Sequence, residues 1–514
     1  MNKKKIIIIG AGIAGLTSGI YALDNNYDVT IYEKHAIVGG QCTGWVRNNS
    51  FIDGCAHWIV GTNPTSDLYP LWRYVGAFNE NDKIYETTYY CKYDIDGEVI
   101  TLYADINKLQ QELLRVAPED SKKIKRLIND VKAYKHVKIP TEKPLDMMNI
   151  FDLTAFGINM LPMALKYGKY KNVSIPQYCK QFKSKYLRKL FIRMMGEQYN
   201  AHSMLYILQT LVKLDAGIVE GGSKKLAYNI YDNFINKGGK VVTNVEIDKV
   251  LIEDNKAKGV IFKDGKVEYA DYVICSTDAH HALYDLLDNK YYDEYFVERF
   301  DNNKEYPLNT CIYLSFKINE DVSNLPKMLN FEIPPIEFFN NKIDNITIRN
   351  YSFDASLSKD GSTVFSCLLP VNENVYDELE KLDRKDYLTF KDYIGKLFKY
   401  HICKKYNLNE NNVKVLDVAT PLTYNRYTNA YKGSYMSFLS TNKAKGLMRK
   451  GLIKGLDNFV LAGQWLMPPG GLPIALFMGK HAIIRICKMD KKKFVNLDYV
   501  YKPVYLKKKQ VIKV

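Results

Sequence analysis

Ile6, Ile7, Ile8 and Ile9 run without a polar break into Gly10, and two further glycines follow at Gly12 and Gly15. A short unbroken apolar run that ends in glycine reads as a strand buried on both faces and turning tightly into a helix. The spacing G-x-G-x-x-G gives each glycine a task. Gly10 makes the turn, Gly12 lets backbone approach a phosphate, and Gly15 lets the helix pack closely on the strand. The next apolar run, residues 27–32, closes on Glu33. That acid stands about twenty residues past the third glycine, where a carboxylate accepts hydrogen bonds from a ribose 2′-hydroxyl. Together these parts predict a dinucleotide site at the start of the chain, with the phosphates on the helix N-terminus. The carboxylate would repel a 2′-phosphate, which disfavours NADP there.

Beyond Glu33 the pattern departs from a nicotinamide-dependent dehydrogenase. Gly39 and Gly40 come next, then the stretch FIDGCAHWI at 51–59 in place of a regular strand and helix alternation. Far away, residues 458–482 read NFVLAGQWLMPPGGLPIALFMGKHA: an apolar strand ending at Gly463, a turn carrying Pro468, Pro469, Gly470, Gly471 and Pro473, and an apolar helical run. Taken alone this reads either as a buried strand and helix of a parallel sheet or as a second anion or carbonyl site at a helix start.

With these blocks the chain resembles the flavoprotein superfamily of phytoene desaturases, carotenoid isomerases, retinol saturases and, more distantly, amine oxidases. The likeness is carried by GAGIAG with Glu33, by residues 39–61, by the central block 220–281, and by residues 420–438 with 461–482. The resemblance implies an α/β fold: a Rossmann-like FAD-binding domain built from discontinuous segments, with an inserted α+β substrate domain. It also implies FAD, extended and bound without a covalent link. The AMP half would lie on Gly10, Gly12, Ile13, Ala14, Gly15 and Glu33, with the adenine edge at the backbone of Val245. The flavin and ribityl end would meet Gly39, Gly40, Gly463, Gly470, Gly471 and Leu472. Where the family commonly has an acid after the C-terminal glycine, this chain has Gln464, whose amide can both donate and accept.

On this reading residues 1–75, 215–290 and 412–490 build the cofactor domain, and 76–214 and 291–411 the substrate domain. Residues 491–514 form a basic C-terminal tail. The first insert opens with a hairpin at 89–103 around the turn sequence Asp94-Ile95-Asp96-Gly97, followed by helical periodicity at 106–116 and 121–134 with Pro118 between them. Strand-like runs stand at 311–318 and 363–369 in the second insert. The net charge is +15, yet no nucleic-acid recognition module is present. An anionic membrane surface is the expected polar partner, since near-surface lysines each add about 1 kcal/mol of attraction. Nine cysteines, dispersed and without metal spacing, point to a reducing, cytoplasmic compartment and to no bound metal. The apolar stretch 151–165 reads as a helix that lines a greasy pocket or dips into a bilayer face.

The resemblance implies an FAD-dependent oxidoreductase acting on carbon–carbon single or double bonds of a long apolar substrate: a polyene, isoprenoid or fatty acyl chain. Such chemistry needs a substrate carbon held close to the flavin and water excluded, so apolar walls are expected more than acids and bases. His57, inside the second block, is the leading candidate for moving a proton. Glu197, Tyr199 and His202 form the next polar cluster, although their spacing does not put them on one helical face. Arg426 and Tyr427 are candidates for the pocket mouth, with a surface ion pair the plainer reading of Arg426. Cys42 and Cys55 read as buried, unreactive thiols. The alternatives are a flavin-dependent double-bond isomerase without net redox change, an amine oxidase, and a flavin-free prenyl-binding protein such as the Rab escort and GDP-dissociation-inhibitor proteins. The intact Gly-Gly and Pro-Gly-Gly turns stand against the last, because a binder has no use for backbone brought close to an isoalloxazine.

Overall fold

The strand Lys5–Ile9 is flanked by Asp28–Tyr32 on one side and Tyr272–Cys275 on the other, with Lys240–Val242 and Phe459–Leu461 outside them. All five are parallel. This sheet is seen in a computed structural model of the chain, which describes residues 3–55, 58–445, 448–502 and 512–513. Ile6, Ile7 and Ile8 are wholly buried, as an apolar central strand covered on both faces must be. Three stretches of sequence more than 180 residues apart thus close one sheet, and their strand ends define one edge for a ligand.

The helix Ile13–Asp24 leaves that edge and is buried from Ile13 to Ala22. Its packing depends on the absence of side chains. A Cβ on Gly15 would lie 2.0 Å from the Gly10 carbonyl oxygen and 2.7 Å from Ser276 Oγ, and one on Gly479 would lie 2.6 Å from the Ala14 carbonyl oxygen. The C-terminal helix Leu472–Met489 therefore crosses the first helix at backbone distance, and Ser18 Oγ donates to the Gly479 carbonyl at 3.1 Å. Residues of the basic C-terminal segment dock on the same pair. The Asp498 carboxylate is fully buried between Lys480 Nζ and the Tyr21 hydroxyl, 2.7 Å from each.

A second sheet of seven strands stands apart from the first. Its order is Val413–Ala419, Thr310–Ile318, Thr363–Val371, Asn341–Asn350, Met328–Phe338, Tyr89–Ile95 and Glu98–Tyr103. The pairs are antiparallel except for Met328–Phe338 with Tyr89–Ile95. The expected hairpin is present, with Asp96 and Gly97 both at positive φ (52° and 81°), the backbone that a two-residue turn of this hand requires. The expected helices form at Ile106–Val116, capped by Asp105, and at Ser121–Ala133, with Pro118 in the short turn between. One segment falls elsewhere than the sequence reading has it. Val413–Ala419, grouped with the cofactor segments, pairs with Thr310–Ile318 at the edge of the seven-stranded sheet. An alternating run of that kind suits any half-exposed edge, and nothing in it names a partner strand.

All nine cysteines are free, and eight are buried. Among the described residues no helix is long and apolar enough to cross a membrane.

The contact at Gly15 gives a first test. Gly15→Ala drives a methyl group into the Gly10 carbonyl, and neither helix nor strand can retreat. We expect a loss of at least about 1–3 kcal/mol in urea unfolding of the cofactor-free protein. Unchanged stability would contradict the close packing.

Candidate cofactor and active site

The site grows from the carboxyl edge of the parallel sheet. The first helix opens there at Gly12 with no side-chain cap and no acid in its first turn, although Ile13 and Ala14 are only 3% and 4% exposed. The C-terminal helix opens in the same manner at Gly471. Several other helices are capped by side chains, as Asp105, Asn149, Asn200 and Asp383 show. Two helix ends with unpartnered N–H groups, facing one cavity, form a place for anionic or carbonyl oxygen.

Glu33 closes the strand Asp28–Tyr32 and is 7% exposed. Its carboxylate accepts the Ala11 N–H and the His35 N–H, each at 2.8 Å. Burial raises its carboxyl above the ordinary range, and the two N–H donors work against that rise. The backbone of Val245 reaches the same spot, donating its N–H to the Glu33 carbonyl at 3.0 Å. Tyr427 lies at this end too, edge-on to His35 with ring centroids 5.1 Å apart.

Gly39 donates its N–H to the Ala11 carbonyl at 2.8 Å and pairs with Gly12 in a single parallel bridge, so the second block lies directly on the first. Gly463 reaches them from the other end of the chain: a Cβ placed on it would stand 3.8 Å from the Ala14 Cβ. Gln464 completes the link. Its Nε2 donates to Gln41 Oε1 at 3.0 Å, and its Oε1 accepts the Gly471 N–H at 2.9 Å. The amide therefore fastens the Pro-Gly-Gly turn to the Gly39-Gly40 turn, a contact that a lone acid could not make because it has no N–H to give.

One cavity of about 2010 Å³ takes in all of this. Gly10, Gly12, Ile13, Ala14 and Glu33 line it, as do Gly39, Gly40 and Val245 and, from the C-terminal block, Gly463, Gln464, Gly470, Gly471 and Leu472. Gly15 does not; it is enclosed by Gly10 and Ser276, as its packing role requires. Gly12 is the informative glycine. Its φ of −75° suits any residue, and a Cβ there would meet only Gly39 O at 3.9 Å and the Gly40 Cα at 4.0 Å. The protein itself has room for a side chain at Gly12 and leaves that space free on the cavity side. Bare backbone, two uncapped helix ends and a buried acid fit an extended dinucleotide.

The rest of the cavity runs between the seven-stranded sheet and the helices of the first insert. Tyr90, Met163, Tyr167, Tyr199, Leu368 and Tyr435 are among its wall residues. Burial raises the phenols of Tyr90, Tyr199 and Tyr435 above their ordinary value, so this wall carries hydroxyls and rings without phenolate charge. Glu197, Tyr199 and His202 all line it, though they do not meet one another by hydrogen bonds: Tyr199 donates to Asn309 Oδ1 at 2.7 Å, and His202 Nδ1 pairs with the Tyr134 hydroxyl at 2.8 Å. Burial lowers His202 to about 4, which leaves it neutral. Arg426 is exposed and lies outside the cavity wall, unlike Tyr427. Cys42 is buried, with Sγ 3.3 Å from the Ser223 carbonyl, and its thiol is raised by the neighbouring Cys55 thiol and by burial. His57 lies outside the described residues.

Sequence reasoning passed over Asp278, which follows the strand Tyr272–Cys275 and lines the cavity. Its carboxylate accepts the N–H groups of His280, His281 and Tyr431, at 2.8, 3.4 and 3.0 Å. Burial pushes its carboxyl up to about 7. By holding Tyr431 it fixes the loop that leads to Tyr435 and Met436 in the cavity wall. The only signal for it was an acid just past an apolar strand, a common arrangement.

Comparison with known proteins agrees with this geometry. Residues 13–482 match the family model of the flavin containing amine oxidoreductases. A 4,4'-diapophytoene desaturase of Methylomonas sp is 24% identical over 73% of this chain and 74% of its own. A neurosporene-forming phytoene desaturase of Rhodobacter capsulatus is 27% identical over 58% of this chain and 57% of its own. Among solved structures, an oxidoreductase from Methanosarcina mazei superposes with a TM-score of 0.60 at 17% identity, over 94% of this chain and 100% of that one. Cyclohexylamine oxidase from Brevibacterium oxydans does so at 0.57 and 13% identity, over 95% and 100%. The fold is thus an α/β flavoprotein fold with an inserted α+β unit, and the protein is an oxidoreductase whose cofactor is a flavin. The chain belongs to the family of flavin-containing amine oxidoreductases.

Proposed function

We propose that the flavin is FAD, held in extended form without a covalent bond, and that the enzyme desaturates a carbon–carbon bond in a long apolar chain, with a polyene as the substrate class. The observation that carries this reading is the single cavity. One end is bare glycine backbone with a buried acid, and the other is walled mainly by rings and thioethers, with charged side chains such as Arg193, Glu197 and Glu332 also on its lining. A volume of about 2010 Å³ exceeds the ~300–1,000 Å³ of an ordinary ligand pocket, which suits a dinucleotide together with a long substrate. The names of the relatives, both desaturases of carotenoid precursors, point the same way.

The chain's own residues have limited tasks on this account. Glu33 receives ribose hydroxyls, and the N–H groups at Ile13 and Ala14 receive phosphate oxygen. The start of the helix Leu472–Met489 offers its N–H groups and dipole to the edge of the ring system that gains negative charge on reduction. Bound FAD supplies the hydride acceptor. The apolar wall keeps water away from the reacting carbon. Cys42, with its thiol raised and turned to Ser223, offers no nucleophile for a covalent link. His57 is proposed to carry the second proton.

Gly12→Ala separates ligand from scaffold. Because the backbone there accepts alanine, apoprotein stability should stay level or rise by about 0.4–1 kcal/mol, while FAD affinity, read by titration of the apoprotein, falls about tenfold or more. Loss of stability with unchanged affinity would refute the assignment.

The activity is tested by anaerobic mixing of the flavin-loaded enzyme with a hydrocarbon polyene, an unsaturated fatty acid and a primary amine. The expected result is bleaching of the oxidised flavin by the polyene, with one further double bond in the product. Bleaching by the amine alone would overturn the reading. In the same assay His57→Ala should slow bleaching about 100-fold at unchanged flavin content, and an unchanged rate removes His57 from the reaction.

A further inference from the structure

The helix Ile150–Tyr170 spans 21 residues and buries only Met163 and Tyr170. Its outward side carries Ile150 (69% exposed), Phe151 (80%), Ile158 (69%), Leu161 (57%) and Leu165 (70%). At one residue per ~100° of turn these five fall on a single arc of about 100°. A soluble surface scatters its apolar residues singly; a continuous stripe of large ones marks a contact site. The opposite arc does different work, since Met160, Met163 and Tyr167 line the cavity.

The polar ends of the stripe indicate what covers it. From residue 153 to residue 171 the chain holds no acid, and Lys166, Lys169 and Lys171 come at its end. Lys166 is matched by Asp130 at 2.7 Å. The ammonium groups of Lys169 and Lys171 lie over the rings of Tyr170 and Tyr167, at 4.7 and 5.4 Å from their centroids, and among the described residues no carboxylate pairs with either. An apolar stripe with lysines at its C-terminal end, and with Asp152 at the other end paired to Lys143 at 2.8 Å, suits an anionic lipid surface, with the apolar residues below the headgroups and the lysines at their level. A second copy of the chain would bring the same positive rim against itself, in a molecule already at net charge +15. Among the described residues no helix is long and apolar enough to cross a bilayer, so on a lipid surface this one would lie along the interface.

We propose that the helix Ile150–Tyr170 docks this enzyme on an anionic lipid bilayer, lying in the interface with Ile150, Phe151, Ile158, Leu161 and Leu165 immersed, and that its inner face passes an apolar substrate from the bilayer into the cavity. The docking surface stands on exposure and charge alone, whereas the passage of substrate rests on the apolar substrate class proposed above. One helix with one face in lipid and the other in the cavity wall spares a polyene any transit through water.

The test uses the full-length, flavin-loaded protein. Mixed phosphatidylcholine–phosphatidylglycerol vesicles should carry it into the pellet, and the triple variant Ile158→Glu/Leu161→Glu/Leu165→Glu should lower that partition about tenfold or more. Its flavin content and its bleaching by detergent-dispersed polyene should stay as in the wild type. A second reporter needs no charge change: Phe151→Trp should shift its emission to the blue on these vesicles and be quenched by lipids brominated in the acyl chain. Equal partition of the triple variant, wild-type protein left in the supernatant, an unquenched tryptophan, or a dimer in solution that the triple variant dissociates would each overturn the docking. The detergent assay reads the proposed activity separately, so failure there with intact vesicle binding removes the substrate class and leaves the docking standing.

Discussion

Everything in this structure is arranged around a buried helix start that the protein leaves uncapped. The helix Ile13–Asp24 begins below the surface with no side chain and no acid to meet its first N–H groups, and such an end is costly unless oxygen from outside supplies the acceptors. The neighbouring features then acquire a common reason. Gly12 stays bare where a methyl group would fit, Glu33 waits at the strand end, and Gly39-Gly40 and Gly463 bring further bare backbone to the same cavity.

The convergence is covalently remote and physically direct. Residues 11 and 39 share a backbone hydrogen bond, residues 41 and 464 an amide pair, and residues 464 and 471 another hydrogen bond. Gln464 joins these contacts through both ends of its amide. An amide there gives one proton and takes one, so the two glycine turns are tied to each other. The turn's orientation depends on the protein's own hydrogen bonds even before a cofactor arrives.

Much of this was legible in the sequence because it rests on local rules. The run Ile6 to Ile9 could only be a covered strand, Asp96-Gly97 could only be a tight hairpin turn, and Pro118 had to interrupt the two helices it separates. The glycines of these blocks were readable for a similar reason: Gly10, Gly39 and Gly463 take positive φ and Gly15 leaves no room for a side chain, while Gly12 keeps a space the protein does not fill. What escaped were features set by tertiary partners. Val413–Ala419 joins the second sheet through pairing that its own residues do not specify. Asp278 earns its role from three N–H groups that the fold brings to it. Glu197, Tyr199 and His202 share a cavity wall without sharing a hydrogen bond, which spacing along the chain could not reveal.

The central claim is that both ends of the chain grip one elongated molecule. Titration of the apoprotein with FAD and with its two halves, FMN and AMP, tests it most directly. Simultaneous grip predicts that FAD binds roughly 100-fold or more tightly than either half, and that FMN and AMP bind together without displacing each other. FMN binding as tightly as FAD, or FMN and AMP competing for one position, would contradict the account.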